Sequence, residues 1–250
     1  MAEPYYQDER VEIWHGDCRK LLARWSAEGR TFDHCITDPP YSEHVHGHSK
    51  TNAGTDGASG GADVDFGFAH LTTATRVAVS SSLRKLVKRW CLVFSDLESA
   101  HLWREDLGIQ AFEFVRTGAW FKGCPSPQIT GDRPGSALEA ITICHPVGKK
   151  KWNGGGRHNV WEARVPRKSD GRVHPNEKPL DLLRQLVLDF TDAGDSILDP
   201  FAGSGSLGRA AASEGRRAVL VESDDRWCAE AASRFGAAVP DRGNQLGMRW

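Results

Sequence analysis

The chain has 250 residues and 39% hydrophobic content, enough to bury one large core or two small ones. Its formal charge is −1, which excludes a polycation, so any nucleic-acid partner needs positive charge gathered locally. Six cysteines, at 18, 35, 91, 124, 144 and 228, form no CxxC pair; neither a metal spacing nor a disulfide framework is suggested, and a reducing cytoplasm is the expected setting. The opening MAEPYYQDER is polar and acidic, unlike a secretory leader, and no apolar run is long enough to span a membrane.

VEIW (11–14) reads as a short strand running into His15-Gly16-Asp17, and 18–28 as a helix. FDHCIT (32–37) reads as a buried strand stopped by Asp38-Pro39-Pro40-Tyr41, because two successive prolines end strand and helix alike. Residues 42–66, rich in Gly, Ser, His and Asp, read as a long loop, a length that usually means function or disorder. Leu83, Leu86, Val87 and Trp90 then recur at helical spacing. CLVFS (91–95) reads as a strand, 97–107 as a helix, and 110–121 and 138–145 as strands, with 122–137 and 146–173 irregular. Leu182, Leu183, Leu186, Val187 and Phe190 mark an amphipathic helix. SILDP (196–200) enters a glycine-rich turn, followed by a short alanine-rich helix, the strand AVLVE (218–222) and a helix from about 224 to 236. This alternation predicts an α/β fold, a mostly parallel, doubly wound sheet whose ligands sit at the carboxyl ends of its strands.

Three motifs fall at or near such ends. In Asp199-Pro200-Phe201-Ala202-Gly203-Ser204-Gly205 the glycines permit a tight turn and close approach of a ligand. Glu222 ends the next strand, where an acid can accept from a ribose. A glycine-rich turn by itself also suits a nicotinamide enzyme, a nucleotide hydrolase or a plain turn. Asp199, however, would repel a pyrophosphate and favour an ammonium, and no GK[ST] ending follows. A ligand with ribose, ammonium and sulfonium, S-adenosylmethionine, fits better; a turn-capping role for Asp199 is the plainer alternative.

In Asp38-Pro39-Pro40-Tyr41, the Asp38 carboxylate and Pro39 carbonyl can both accept from an exocyclic amino group and localise its lone pair. Pro39 and Pro40 stiffen the backbone, and Tyr41 can stack on a flipped base. His174-Pro175-Asn176-Glu177-Lys178-Pro179 precedes the amphipathic helix; Pro179 suits its first turn, and Lys178 could bond a carboxylate such as the cofactor's methionyl tail. Each motif also has a bland reading, as an ordinary turn or a helix start with a surface lysine.

Together the motifs resemble the amino-methyltransferases that modify adenine N6 or cytosine N4 in DNA, in particular the permuted beta group. There the DPPY motif comes first, target recognition lies in the middle and FxGxG comes near the end, as in this chain. The resemblance covers roughly residues 11–236. It implies one Rossmann-like methyltransferase domain over 1–250, circularly permuted in motif order, with a short recognition region at 122–173. It implies catalytic roles for Asp38, Pro39, Pro40 and Tyr41. For the cofactor it implies Asp17 and Cys18 near the adenine, Glu222 at the ribose, and Asp38, His174, Lys178, Asp199, Phe201, Ala202, Gly203, Ser204 and Gly205. No metal is implied. Dimers are common in the group, so a homodimer is compatible.

The expected partner is double-stranded DNA with a flipped target base. Between Gly148 and Arg172, eight basic residues face two acidic ones, a net +6 against −7 for the rest of the chain. Lys149, Lys150, Lys151, Arg157, Arg164, Arg167 and Lys168 are therefore candidate phosphate contacts, with a solvated basic loop as the alternative. Adenine N6 is the preferred target, because the cytosine enzymes of the family more often carry serine where Asp38 stands. Cytosine N4 methylation, an RNA base substrate and a catalytically silent binding module remain the alternative readings.

Overall fold

A computed structural model describes residues 3–40, 71–123, 134–166, 173 and 177–236. The loop 42–66, Tyr41, Arg167, Lys168 and His174 lie outside the described residues. Among the described residues nine strands form one sheet: β1 (Tyr6–Gln7), β2 (Val11–His15), β3 (His34–Thr37), β4 (Cys91–Ser95), β5 (Phe112–Phe121), β6 (Leu138–Pro146), β7 (Val160–Glu162), β8 (Ser196–Asp199) and β9 (Arg217–Glu222). Their order is β1-β2-β9-β8-β3-β4-β6-β5-β7. The run β2-β9-β8-β3-β4 is parallel, while β6 is antiparallel to both β4 and β5.

The strands alternate their side chains between two cores. Ile13, Ile36, Leu92, Phe94, Ile197 and Leu220 face one side, which α4 (Leu180–Phe190), α5 (Ser206–Ser213) and α6 (Asp225–Gly236) cover. Trp14, Cys35, Val93, Leu198, Val219 and Val221 face the other, under α1 (Cys18–Ala27), α2 (Thr73–Leu86) and α3 (Ala100–Ile109). Strands buried on both faces explain the near-continuous apolar runs CLVFS and AVLVE. Among the described residues no helix is long and apolar enough to cross a membrane.

Three element boundaries differ from the sequence reading. The helix marked by Leu83 and Leu86 stops at Leu86; Val87 is already extended and bridges Phe32, so Trp90 is buried from a loop rather than from a helical face. The α3 helix starts at Ala100, after a turn in which the Ser99 N–H donates to Asp96 Oδ1 (2.6 Å). The stretch taken as irregular holds β7, which adds to the edge of β5 through Trp161.

Sheet order places the two chemistry-bearing strands side by side. From β3 the chain winds outward to β4, and from β8 it winds the other way to β9. The boundary between β3 and β8 is therefore the topological switch point, where a crevice opens at the carboxyl edge. Asp199 ends β8 and Asp38 follows β3, although 161 residues separate them in sequence.

Candidate active site

Thr37 ties the two strand ends together. Its hydroxyl donates to Asp199 Oδ1 at 2.7 Å, and the same oxygen accepts the Phe201 N–H at 3.0 Å. Burial pushes the Asp199 carboxyl up to about 7; these two hydrogen bonds oppose that rise, and the nearby charges of Asp38 and Glu222 add to it. Such a carboxylate gains most from a cationic ligand at its open side.

Beyond Asp199 the chain turns through Gly203 (φ +51°) and Gly205 (φ +78°), left-handed positions that favour glycine. A Cβ on Gly205 would also stand 3.0 Å from the Ala231 Cβ, so the turn is packed against α6 as well as bent. Glu222 fixes this turn from β9. Its Oε2 accepts the Gly203 N–H at 2.8 Å, while Oε1 accepts the Ser223 and Asp224 N–H groups at 2.7 and 2.9 Å. Among the described residues Oε2 holds a single backbone donor, so it retains capacity for a ribose hydroxyl.

At the neighbouring end of β2, Asp17 caps α1 and pairs with Arg19 at 2.6 Å, which holds its carboxyl below the usual range. The Cys18 thiol is buried among the core side chains that include Trp14 and Leu22, and burial raises it to about 12. Cys18 is the first inward-facing position of α1, so its side chain packs into the core.

Lys178 lies just before α4 and is buried. Its Nζ donates to Asp38 Oδ2 at 2.5 Å and meets Glu139 Oε2 at 3.2 Å. Burial alone would lower the ammonium, but the charges of Asp38 and Glu139 outweigh it and hold Lys178 above its ordinary value. The sequence reading assigned Lys178 to the cofactor's carboxylate; in the structure its ammonium is paired with Asp38 and Glu139. Its approach is set by Glu177, which pairs with Arg234 of α6 (2.9 Å) and accepts from Ser206 of α5 (3.1 Å). Beside Pro39 and Pro40 opens a cleft walled by Phe94, Leu102 and Trp103, with Asp96 and Arg76 at its margin.

The family model described as DNA methylase, of the N6/N4 type, matches residues 32–233. The chain belongs to this family. The methylase is similar to a "Type II methyltransferase M2.LlaDCHI" of Lactococcus lactis subsp. cremoris, with 27% identity over 94% of this chain and 93% of the relative. Its fold matches M1.HpyAVI, solved as a complex with S-adenosylmethionine, at TM-score 0.69 and 20% identity, covering 90% of this chain and 99% of that one. It also matches the cytosine-N4-specific PvuII DNA methyltransferase at TM-score 0.66 and 16% identity, covering 93% and 89% respectively.

The basic segment of the methylase does not gather in one place. Strand β6 runs antiparallel to β4 and carries the chain away from Asp38, so Lys149, Lys150 and Lys151 follow at the amino edge of the sheet. There the Trp90 Nε1–H donates to the Lys151 carbonyl, Lys151 pairs with Asp192 (2.7 Å) and Lys150 pairs with Glu113. Arg157 is bound to the buried Asp189 (2.8 Å), which also accepts from Trp161, and so anchors the β7 loop to α4. Strand β7 then returns the chain to the carboxyl edge, bringing Arg164 to the side of Asp38. The two halves of the expected phosphate-binding stretch therefore lie at opposite ends of the sheet.

Sequence reasoning missed Glu139, Lys122, which pairs with Glu139 at 3.0 Å, and Thr37. Glu139 carried a signal, as a lone acid within the apolar strand LEAITIC. Thr37 carried none, being an ordinary strand residue.

Proposed function

We propose that this methylase transfers the methyl group of S-adenosylmethionine to the exocyclic amino group of a base in duplex DNA, with adenine N6 as the target. The observation that carries this reading is the junction of β3 and β8, where Asp38 and Asp199 stand at adjacent strand ends bridged by Thr37. An amine acceptor and a buried acid suited to an ammonium are thereby side by side.

S-adenosylmethionine, when bound, would supply an electrophilic methyl carbon with a thioether as the leaving group. Asp199 would hold its ammonium, and Glu222 would accept from a ribose hydroxyl. Phe201, Ala202, Gly203, Ser204 and Gly205 form the turn that would hold the cofactor, with Asp17 and His174 as further candidate contacts. Asp38 and the Pro39 carbonyl accept the two N–H groups of the base, which localises the nitrogen lone pair for in-line attack. Asp38 then stands where the methylated amine sheds its proton. Pro40 stiffens the acceptor pair, and Tyr41 stacks on the base. A carboxylate holds an amine more strongly than a hydroxyl does, which supports adenine chemistry as the resemblance implies.

Phosphate contact comes from the carboxyl edge, from Arg164, with Arg167 and Lys168 of the same segment as further candidates. Asp38→Ala tests the catalytic assignment. Single-turnover methylation should fall by about 100-fold or more, as for loss of one transition-state hydrogen-bonding group. Titration with S-adenosylhomocysteine should change little. Near-normal turnover in this variant would contradict the assignment.

A further inference from the structure

Four charged side chains form an alternating row along the carboxyl edge. Asp38 bonds Lys178 at 2.5 Å, Lys178 meets Glu139 at 3.2 Å, and Glu139 meets Lys122 at 3.0 Å. The row is bedded on aromatic faces, with Lys178 Nζ 5.2 Å from the Phe94 ring centre and 5.7 Å from that of Trp120, and Lys122 5.6 Å from Trp120 on its own account. Register explains the assembly. Glu139 of β6 pairs with Trp120 of β5, and Ile141 on the same face pairs with Phe94 of β4, so Glu139 projects toward the side from which Lys178 enters.

The reading of Asp38 as acceptor of the base amine sets a requirement on this row. A buried lysine bonded to Asp38 and to no other charge would draw the carboxylate's electron density onto itself. It would weaken the carboxylate as an acceptor and could pull it off the base. A second carboxylate on the opposite side of the ammonium counters that pull. We infer that Glu139 is a positioning residue for methyl transfer: it holds Lys178 between two carboxylates, so that Asp38 is fixed in place while keeping its strength toward the base amine. Glu139 touches neither substrate nor cofactor in this arrangement and acts through Lys178. Lys122 balances the fourth charge, keeping the row neutral in a largely buried setting.

This inference rests on the proposed role of Asp38, and the experiment separates the two. In the full chain, Glu139→Gln keeps the shape and removes the charge. Single-turnover methylation of duplex DNA should fall tenfold or more, while the Kd values for S-adenosylhomocysteine and DNA shift less than about threefold. Glu139→Asp should recover part of the rate. Removing Lys122 as well, in Glu139→Gln/Lys122→Met, restores neutrality and with it thermal stability, yet should leave the rate defect in place. If the single variant fails to fold, the double variant carries the same comparison. A wild-type rate in either folded variant overturns the inference, because the division of Lys178 would then be irrelevant to the chemistry. Near-normal turnover in Asp38→Ala overturns instead the reading on which it rests.

Discussion

Asp199 joins sequence to chemistry through a single burial. A carboxyl raised to about 7 is largely protonated below that pH and ionised above it. A ligand ammonium favours the ionised form, so binding pulls the proton off. Affinity for S-adenosylhomocysteine should therefore be highest above pH 7 and fall roughly tenfold per unit well below it. Calorimetry at about pH 6.5 in buffers of differing ionisation enthalpy should register proton release on binding, and Asp199→Asn should abolish it. Proton uptake, or affinity independent of pH, would show that Asp199 does not face the ammonium. At this scale the sequence was informative where a residue type is costly for anything but function. Asp38 before paired prolines, Asp199 before a glycine turn and Glu222 are set at strand ends, as their sequence context implies. Glu139 and Lys178 were not legible as partners, since nothing local says that residues 39 positions apart share an ion pair. The Cys18 side chain faces the core, while its neighbour Asp17 caps α1 and pairs with Arg19.

The glycine-rich turn works only as part of the β8–α5–β9 unit. Gly208, one turn into α5, is packed so closely that an added Cβ would stand 2.7 Å from Leu220 Cδ1 and 2.9 Å from Phe235 Cζ. Gly208→Ala should therefore cost about 1–3 kcal/mol through overpacking, despite the better helix propensity of alanine. At this chain length each kcal/mol corresponds to about 2–4 °C, so a thermal melt should show a Tm several degrees lower. An unchanged or higher Tm would mean that α5 shifts outward without cost. Element types were largely readable, because strands buried on both faces leave long apolar runs and α4 has a clear apolar stripe. Their ends were less so. The end of α2 is decided by the bridge from Val87 to Phe32, a tertiary contact invisible to helical spacing. Strand β7 is only three residues long and was hidden among glycines and cations.

Across the whole molecule, the two edges of the sheet divide the work. The carboxyl edge holds Asp38, Lys178, Asp199, Glu222 and Arg164; the amino edge holds Lys149, Lys150 and Lys151. Strand β6 alone has nine residues, about 30 Å at some 3.3 Å per residue, so the two groups face different surroundings. Net charge along the chain could not reveal this, because β7 brings the segment back only after its first half has been spent on ion pairs. Neutralising Lys149, Lys150 and Lys151 together should leave the salt dependence of DNA binding nearly unchanged. Arg164→Gln should flatten its log–log slope by about 0.9, the value for one lost phosphate contact. The reverse pattern would place the duplex at the amino edge. The central claim is tested most directly by incubating the methylase with S-adenosylmethionine and unmodified duplex DNA, digesting the DNA to nucleosides and identifying the products by mass spectrometry. The account predicts N6-methyladenine, absent when Asp38 is replaced by alanine. N4-methylcytosine alone would contradict the choice of adenine, and methylation at a ring carbon, or none, would contradict the account itself.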